Sequence, residues 1–220
     1  MARRTTTRDR LVRTAAELFW RQGYAQTGVS SIMKQARATS GSFYHFFPTK
    51  DDLLVAVFDA VADMMESEVL GPAEAVSADP VERIGVVMSA YVRSVDAGTQ
   101  GFRLPMGNLV SELGSSQEAA RRRIKVLMES VTDRVTDWLT GDDGRFPPQV
   151  DRRGLATLIV AALEGAAVVA MASRSRAPVE ACVEQLRLHL DLVAGEGGES
   201  AVRMRPPKST ADARLDWKAW

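Results

Sequence analysis

The sequence predicts an all-α protein with an N-terminal three-helix helix-turn-helix domain and a larger C-terminal helical domain. Two observations predict this class: apolar residues recur at helical spacing along most of the chain, and no alternating pattern predicts a strand. The composition is that of a globular protein, since 45% of the 220 residues are hydrophobic and 25% are charged. We expect domains at residues 1–50 and 51–194 and a flexible tail at 195–220.

Three helices are predicted in the first domain. A one-sided apolar stripe predicts a helix over residues 7–22, which Gly23 ends. A second helix fits residues 29–36, and a third fits residues 40–46, before Pro48. Two short helices joined by a tight turn form a helix-turn-helix unit, whose second helix can enter a DNA major groove.

The second domain is predicted to be helical throughout. Thr49 and Asp52 form a capping box that opens a long helix, which Gly71 and Pro72 are expected to end. The further predicted helices cover residues 80–96, an irregular segment at 104–113, 115–138 opened by a capping box of Ser115 and Glu118, 151–173, and 178–193. The stretch 151–173 is apolar on almost every side, which indicates burial on more than one side. The longest apolar stretch, residues 155–171, is interrupted by Glu164 and is too short and polar to suggest a membrane span.

Charge is divided unevenly between the two domains. Residues 1–50 carry nine Lys or Arg and two acidic residues, although the formal net charge of the chain is +0. A basic head on an acidic body indicates that the head meets a polyanion. The arginines at the start of the first helix oppose the helix dipole, so either phosphate contact or a solvated tail must account for them. A single Cys excludes an internal disulfide framework, and no signal peptide is recognised, which favours a cytoplasmic setting.

The aromatic run at residues 40–50 is the candidate contact surface. We expect Phe43, Phe46 and Phe47 to fix the third helix in place. The residues expected to face DNA are Ser40, Ser42, Tyr44, His45 and Lys50. The alternatives are core packing for Tyr44, a helix cap for Ser40, and simple solvation for His45 and Lys50.

Four stretches carry a family pattern: residues 15–19 (AAELF), 23–24 (GY), 27–32 (TGVSSI) and 41–54 (GSFYHFFPTKDDLL). Together they resemble the DNA-binding domain of the TetR family of bacterial one-component regulators, over residues 7–58. Residues 106–113 (MGNLVSEL) resemble a segment that recurs in one group of these regulators. One departure is Arg37, which stands where the family often has a glycine and adds a candidate phosphate contact.

The resemblance implies a DNA-binding transcriptional regulator, usually a repressor, whose recognition helix starts near Thr39. Hydroxyls at the start of that helix meet phosphates or base edges, and Gly41 lets the backbone approach DNA. Tyr44 and Lys50 would bind phosphates. The implied DNA-binding set is Ser30, Arg37, Thr39, Ser40, Gly41, Ser42, Tyr44, His45 and Lys50.

The resemblance also implies a homodimer, because the last two helices of this family form its dimer surface. Two copies would present two heads to a palindromic double-stranded DNA operator. The implied interface set is Ala162, Gly165, Ala166, Ala170, Val179, Val183, Leu186 and Leu190. The alternative is that the small residues among these serve only the core.

A small-molecule effector that shifts the spacing of the heads is implied as well. Such an effector must bind two states with different affinity, and methionines and aromatics give an adaptable apolar wall for it. The expected lining is Phe102, Met106, Asn108, Leu109, Glu112, Met128 and Trp138. Ordinary core packing is the alternative for each of them.

An all-helical enzyme is the rival class. A di-iron carboxylate bundle needs Glu-x-x-His pairs, and neither His45 nor His189 has a glutamate three residues earlier. No nucleotide-binding or nucleophile motif is present, and Cys182 fits a core position. We therefore expect no enzyme activity, no cofactor, no metal and no membrane partner. A DNA-binding dimer without an effector stays open as a second alternative.

Overall fold

The computed structural model describes residues 6–95, 106–114, 117–141 and 144–195, and the regular structure within these ranges is helical. The helices are α1 (Thr7–Gln22), α2 (Val29–Ala36), α3 (Ser40–Phe46), α4 (Lys50–Met64), a π-helical turn (Met65–Leu70), α5 (Gly71–Val76), α6 (Pro80–Ser94), α7 (Gly107–Ser111), α8 (Glu118–Thr140), α9 (Arg152–Ser173) and α10 (Ala177–Val193). The predicted all-α class is confirmed. Phe102, Ser115, the side chain of Asn108 and the tail from residue 196 lie outside the described residues.

The head is formed by α1, α2 and α3. A capping box opens α1, since the Thr6 hydroxyl accepts the Asp9 amide and the Asp9 carboxylate accepts the Thr6 amide. Gly23 ends α1 with its amide bonded to the Phe19 carbonyl at 2.9 Å. The helices α2 and α3 pack on α1, and so does α4. This packing stabilises helices that are too short to form alone.

The connector between head and body does not end where the sequence predicts. The capping box of Thr49 and Asp52 opens α4 as expected, but the chain then passes through the π-helical turn into α5. In that turn the Gly71 amide bonds to the Glu66 carbonyl, five residues earlier. Proline breaks an α-helix because its ring meets the carbonyl four residues earlier. In the π-helical turn a different carbonyl lies at that position. The helical connector of α4, the π-helical turn and α5 therefore continues through Pro72 and does not end there.

The body is a helical bundle in which α8 packs on α4 and α9, and α10 packs on α9 and α6. α8 begins at Glu118 with Gln117 as its N-cap. The predicted capping box of Ser115 and Glu118 includes a residue outside the described ranges. α9 begins as predicted, with the Asp151 carboxylate accepting the Gly154 amide at 2.9 Å. Among the described helices, α9 is long and apolar enough to cross a bilayer, with a mean hydropathy of 2.1. In this fold it packs between α8 and α10.

Two arginines end helices in the left-handed conformation: Arg37 after α2, with φ 51°, and Arg174 after α9, with φ 50°. Each is followed by the hydrogen-bond pattern of a Schellman motif. The Ala38 amide bonds to the Met33 carbonyl at 3.0 Å, and the Ser175 amide bonds to the Ala170 carbonyl at 3.1 Å. Glycine is the usual residue at such positions because a side chain is disfavoured there.

Arg37→Gly and Arg174→Gly should therefore each stabilise the protein. Glycine adopts the left-handed conformation without the steric cost that arginine has there, although it is more flexible in the unfolded chain. The first effect is larger, so the free energy of unfolding should rise by about 0.5–1 kcal/mol. This corresponds to a rise of about 1–4 °C in the midpoint of thermal unfolding (Tm), measured by calorimetry. Arg122→Gly, at an exposed position in the second turn of α8, is the control and should lower Tm. A lower Tm for Arg37→Gly would contradict this conformational argument.

Candidate nucleic-acid interface

α3 presents one buried edge and one exposed face. The Phe43 side chain is fully buried and Phe47 is buried beside it, whereas 56% of Tyr44 is exposed. Phe46 was expected to be scaffold, but 38% of it is exposed at the last residue of α3, where its ring lies beside those of His45 and Phe47. The helix is thus fixed from one side by Phe43 and Phe47 and leaves Tyr44 and His45 to solvent.

The start of α3 is capped by Thr39. Its hydroxyl oxygen accepts the Ser42 amide at 3.2 Å and lies 3.0 Å from the Ser42 hydroxyl. Ser40 and Gly41 are exposed, and a Cβ added to Gly41 would meet nothing within 4 Å. Packing within the protomer therefore does not require a glycine at this position. The expected close approach of a DNA backbone stays a prediction.

All nine predicted DNA contacts lie in α2, α3, the turn between them or the first residue of α4. Seven of these residues are exposed, and two, Ser42 and Lys50, are half-buried. Ser30 lies in the first turn of α2, and Arg37 lies in the turn that leads to α3. The fold thus brings eight of the nine to the helix-turn-helix unit and Lys50 to the start of the helix that follows it.

Two arginines of α1 have partners that the sequence did not reveal. Arg10 donates through Nε to the Ala36 carbonyl at 3.3 Å, at the C-terminal end of α2. A cation is favourable there because unpaired carbonyls make the end of a helix negative. The Arg8 guanidinium lies 5.6 Å from the centre of the Phe47 ring. These contacts give Arg8 and Arg10 partners within the protein, whereas Arg3 and Arg4 lie outside the described residues.

Lys50 also has a partner within the protein. Its Nζ donates to the Tyr24 carbonyl at 2.5 Å and lies 4.0 Å from the centre of the Tyr24 ring. Burial lowers the pKa of Lys50, against the opposing effect of the Asp51 and Glu112 carboxylates. The Tyr24 hydroxyl donates to Asp51, and burial together with that carboxylate raises the pKa of Tyr24. Lys50 thus fixes the connection between α1 and α2, and its phosphate contact stays a prediction.

The residues expected to line an effector site lie in different environments. Met106 and Leu109 are fully buried, and Met128 is half-buried. The Trp138 indole N–H donates to the Glu74 carboxylate at 2.9 Å. Glu112 is exposed and accepts the Ala25 amide of the head at 2.9 Å, so it contacts the head and does not face the interior of the body.

A second carboxylate, Glu164 of α9, has a role that the sequence analysis missed. One of its oxygens accepts the amides of Met106 and Gly107 at 2.8 and 3.2 Å, and the other accepts the Tyr91 hydroxyl at 2.8 Å. Burial raises the pKa of both Glu164 and Tyr91. The sequence did contain a signal for this role, because Glu164 is a lone acidic residue in an apolar helix. A buried carboxylate in such a helix must be paired or functional.

Most of the residues assigned to the dimer surface lie inside the protomer. Ala170, Val179, Val183, Leu186 and Leu190 are buried, while Gly165 is exposed and Ala162 and Ala166 are half-buried. The apolar residues that these helices leave about half exposed are instead Leu158, Val169, Leu188 and Leu192. A dimer surface on α9 and α10 would therefore use these four exposed side chains and not the buried ones of the predicted set. The stripe that is most apolar in α10 packs against its own protomer.

Comparison with known proteins identifies both parts of the chain. Residues 11–57 match the family model described as bacterial regulatory proteins, tetR family. Residues 80–185 match the model of the C-terminal domain of LmrA/YxaF-like transcriptional regulators. The uncharacterized HTH-type transcriptional regulator YxaF from Bacillus subtilis (strain 168) is 27% identical over 187 residues, which cover 84% of this chain and 96% of that protein.

Two further proteins support the same assignment. The HTH-type transcriptional regulator LmrA from Bacillus subtilis (strain 168) is 22% identical, over 81% of this chain and 95% of its own. The crystal structure of a TetR transcriptional regulator from Chloroflexus aurantiacus J-10-FL superposes with a TM-score of 0.74 at 25% identity, covering 84% of this chain and 93% of that one. The chain belongs to the TetR family of bacterial helix-turn-helix transcriptional regulators and is not an enzyme.

Proposed function

We propose that the protein is a cytoplasmic homodimeric repressor that binds a palindromic operator through α3 and is released by a small, largely apolar effector. The observation that carries the DNA-binding part is the division of α3 into two faces. Phe43 is fully buried, whereas the neighbouring Tyr44 is 56% exposed and has a hydroxyl suited to a phosphate oxygen. The nine Lys or Arg among residues 1–50 provide the matching positive field.

The homodimer is supported by the apolar surface of α9 and α10. Leu158 and Val169 on α9, and Leu188 and Leu192 on α10, are each about half exposed. Gly165 lies between the two exposed residues of α9 and allows another helix to approach closely. A second copy related by a twofold axis would cover the same surface on both protomers and would present two copies of α3.

The effector part rests on α7 and α8. Met106 and Leu109 of α7 are buried, and Met128 of α8 is half-buried, so flexible apolar side chains are available to adapt to a ligand. The alternative is a DNA-binding dimer that has no effector. Titration of a protein–DNA complex with apolar compounds distinguishes them, because only an effector-responsive protein will release DNA.

Tyr44→Phe tests the DNA-binding part. The variant removes one hydroxyl, and the loss of its hydrogen bond to a phosphate should weaken DNA binding about tenfold. Fluorescence anisotropy at fixed salt measures this affinity, on a duplex that the wild-type protein selects from a randomised pool. Thermal unfolding is the control, since an exposed hydroxyl contributes little to Tm. Wild-type affinity of Tyr44→Phe would contradict the assigned role of Tyr44.

A further inference from the structure

A groove lies between α6, α10 and the end of α5. It has a volume of about 660 Å³ and is lined along α6 by residues between 81 and 93. A smaller hollow of about 300 Å³ adjoins it and shares Arg187 and Asp191 of α10 with it. Val76, at the end of α5, is 68% exposed, which makes it the most exposed large hydrophobic side chain in the described part of the chain. The groove is therefore a largely apolar surface that the described residues leave uncovered.

Gly85 leaves empty space in this groove. It lies in the interior of α6, where glycine is about 1 kcal/mol less favourable than alanine. A Cβ added to Gly85 would meet nothing within 4 Å, so contacts among the described residues do not require a glycine there. Its neighbours along the groove, Val81 and Val86, are half-buried. The space above Gly85 is thus suited to a large apolar group from outside the described residues.

Carboxylates outnumber arginines around the groove. The groove and the adjoining hollow together are lined by four acidic residues and two arginines. Of the acidic residues, Glu180 pairs with Arg176 at 2.8 Å. Glu82, Glu184 and Asp191 form no ion pair with another described residue. An occupant that is both apolar and cationic would therefore match the groove in polarity and in charge.

Residues 203–220 have both properties. They carry five Lys or Arg and two acidic residues, and they contain two of the four tryptophans of the chain. Ala213, Trp217 and Trp220 recur at the spacing of one helical face. This pattern is typical of a short amphipathic helix. A helix of this length is not stable alone in water, so its apolar face needs a surface to cover.

The groove is within reach of this segment. Asp191 lies four residues before Gly195, the last described residue, and hence about one helical turn from it. A random-coil linker of the length of residues 196–208 spans about 20 Å on average. The groove extends along α6 for about 18 Å, and a helix of residues 209–220 would have about the same length, because each helical residue adds about 1.5 Å.

We propose that residues 209–220 dock in the groove of their own chain as a short amphipathic helix. Trp217 and Trp220 fill the space above Gly85, and the basic residues of the segment face the carboxylates of α6 and α10. Tethering raises the effective concentration of the segment to the millimolar range, so a weak contact is enough to keep it docked. The docked segment covers the apolar groove and holds α6 to α10, and this contact is independent of DNA binding by α3.

Fluorine NMR of the full chain tests the docking. Fluorinated tryptophan gives one resonance for each of the four tryptophans, and Trp217→Phe and Trp220→Phe identify two of them. A dissolved gadolinium chelate should relax these two resonances about fivefold less in the wild type than in Gly85→Leu, whose added side chain fills the groove. Leucine favours a helix more than glycine does, so Gly85→Leu should fold. Equal relaxation in both proteins would overturn the proposal.

Ala119→Leu is the matched control, because it adds a leucine at an exposed position of α8 that does not line the groove. The two resonances should relax there as in the wild type. Faster relaxation in this variant as well would show that added bulk acts non-specifically, and would count against the groove as the docking site.

A mixture of two proteins distinguishes docking within one chain from docking on another copy. Labelled Gly85→Leu is refolded together with an excess of unlabelled wild-type protein. Its two tryptophans should stay accessible to the chelate, because their own groove is filled. Protection restored by the wild-type copies would show that the groove accepts the segment of another copy, and would overturn docking within the chain.

Charge reversal at Glu82 tests the electrostatic contribution. Raising the salt from about 0.1 M to about 1 M shortens the screening length from about 10 Å to about 3 Å, and should speed the relaxation of both resonances about twofold or more. Glu82→Arg should have a similar effect at low salt. Relaxation that responds to neither change would overturn the charge complementarity between the segment and the groove.

Discussion

Val169→Glu should keep the protein monomeric by disrupting the proposed dimer surface, and it should abolish operator binding. Val169 is 54% exposed on α9, within the surface that we propose a second copy covers. A twofold interface would contain the new carboxylate twice, and burial of an unpaired charge costs several kcal/mol. We therefore expect the dimer dissociation constant to rise about a thousandfold or more. Sedimentation velocity gives the mass of the species, and fluorescence anisotropy gives the affinity for DNA.

Val126→Glu is the matched control for this prediction. Val126 is 52% exposed on α8, outside the surface of α9 and α10, so the same change there should leave both mass and DNA affinity unchanged. A dimeric Val169→Glu protein with normal DNA affinity would show that the two copies meet elsewhere.

Gly23→Ala should strongly destabilise the protein, because it affects both a backbone conformation and a contact between head and body. Gly23 has φ 87° and ψ 156°, a backbone region that is almost exclusive to glycine. The added Cβ would also lie 2.7 Å from the Glu112 carboxylate and displace it from Ala25. Together these effects should lower the free energy of unfolding by about 2–4 kcal/mol. Calorimetry should record a Tm that is lower by about 4–16 °C.

Two further variants separate the causes. Gly85→Ala is the control, because Gly85 lies inside α6 with nothing within 4 Å of its added Cβ, and alanine should stabilise that helix. Glu112→Ala combined with Gly23→Ala removes the collision and leaves the backbone cost. The double variant should therefore lose less stability than the sum of the single variants. A wild-type Tm for Gly23→Ala would contradict both causes.

Helix boundaries that depend on local chemistry were predictable from the sequence. The capping box of Thr49 and Asp52 and the end of α1 at Gly23 lie where the pattern predicts them. Pro72 was misleading, because the π-helical turn before it depends on how the rod packs on α6 and α8 and not on local propensity. The sequence pattern therefore identifies the helices but not every junction between them.

The candidate site was predictable to a similar extent. The limits of α3 and the burial of Phe43 follow from the sequence pattern, because they depend on residues a few positions apart. The partners of Lys50 and Glu112 do not, since they lie 26 and 87 positions away in the chain. The exposed face of α10 was also missed. In an apolar helix the pattern marks which residues are buried, but it does not distinguish burial in the same protomer from burial against another.

The π-helical turn at Met65–Leu70 gives the connector an angular freedom that a plain α-helix lacks. Each residue of an α-helix turns the chain by about 100°, so one extra residue in a turn rotates everything that follows. The buried face of α4 is set by the head and α8, whereas that of α5 is set by α6. Because the π-helical turn lies between α4 and α5, the buried faces of these two helices can point in different directions around the helix axis. Head and body can therefore each keep their own packing while one continuous rod joins them.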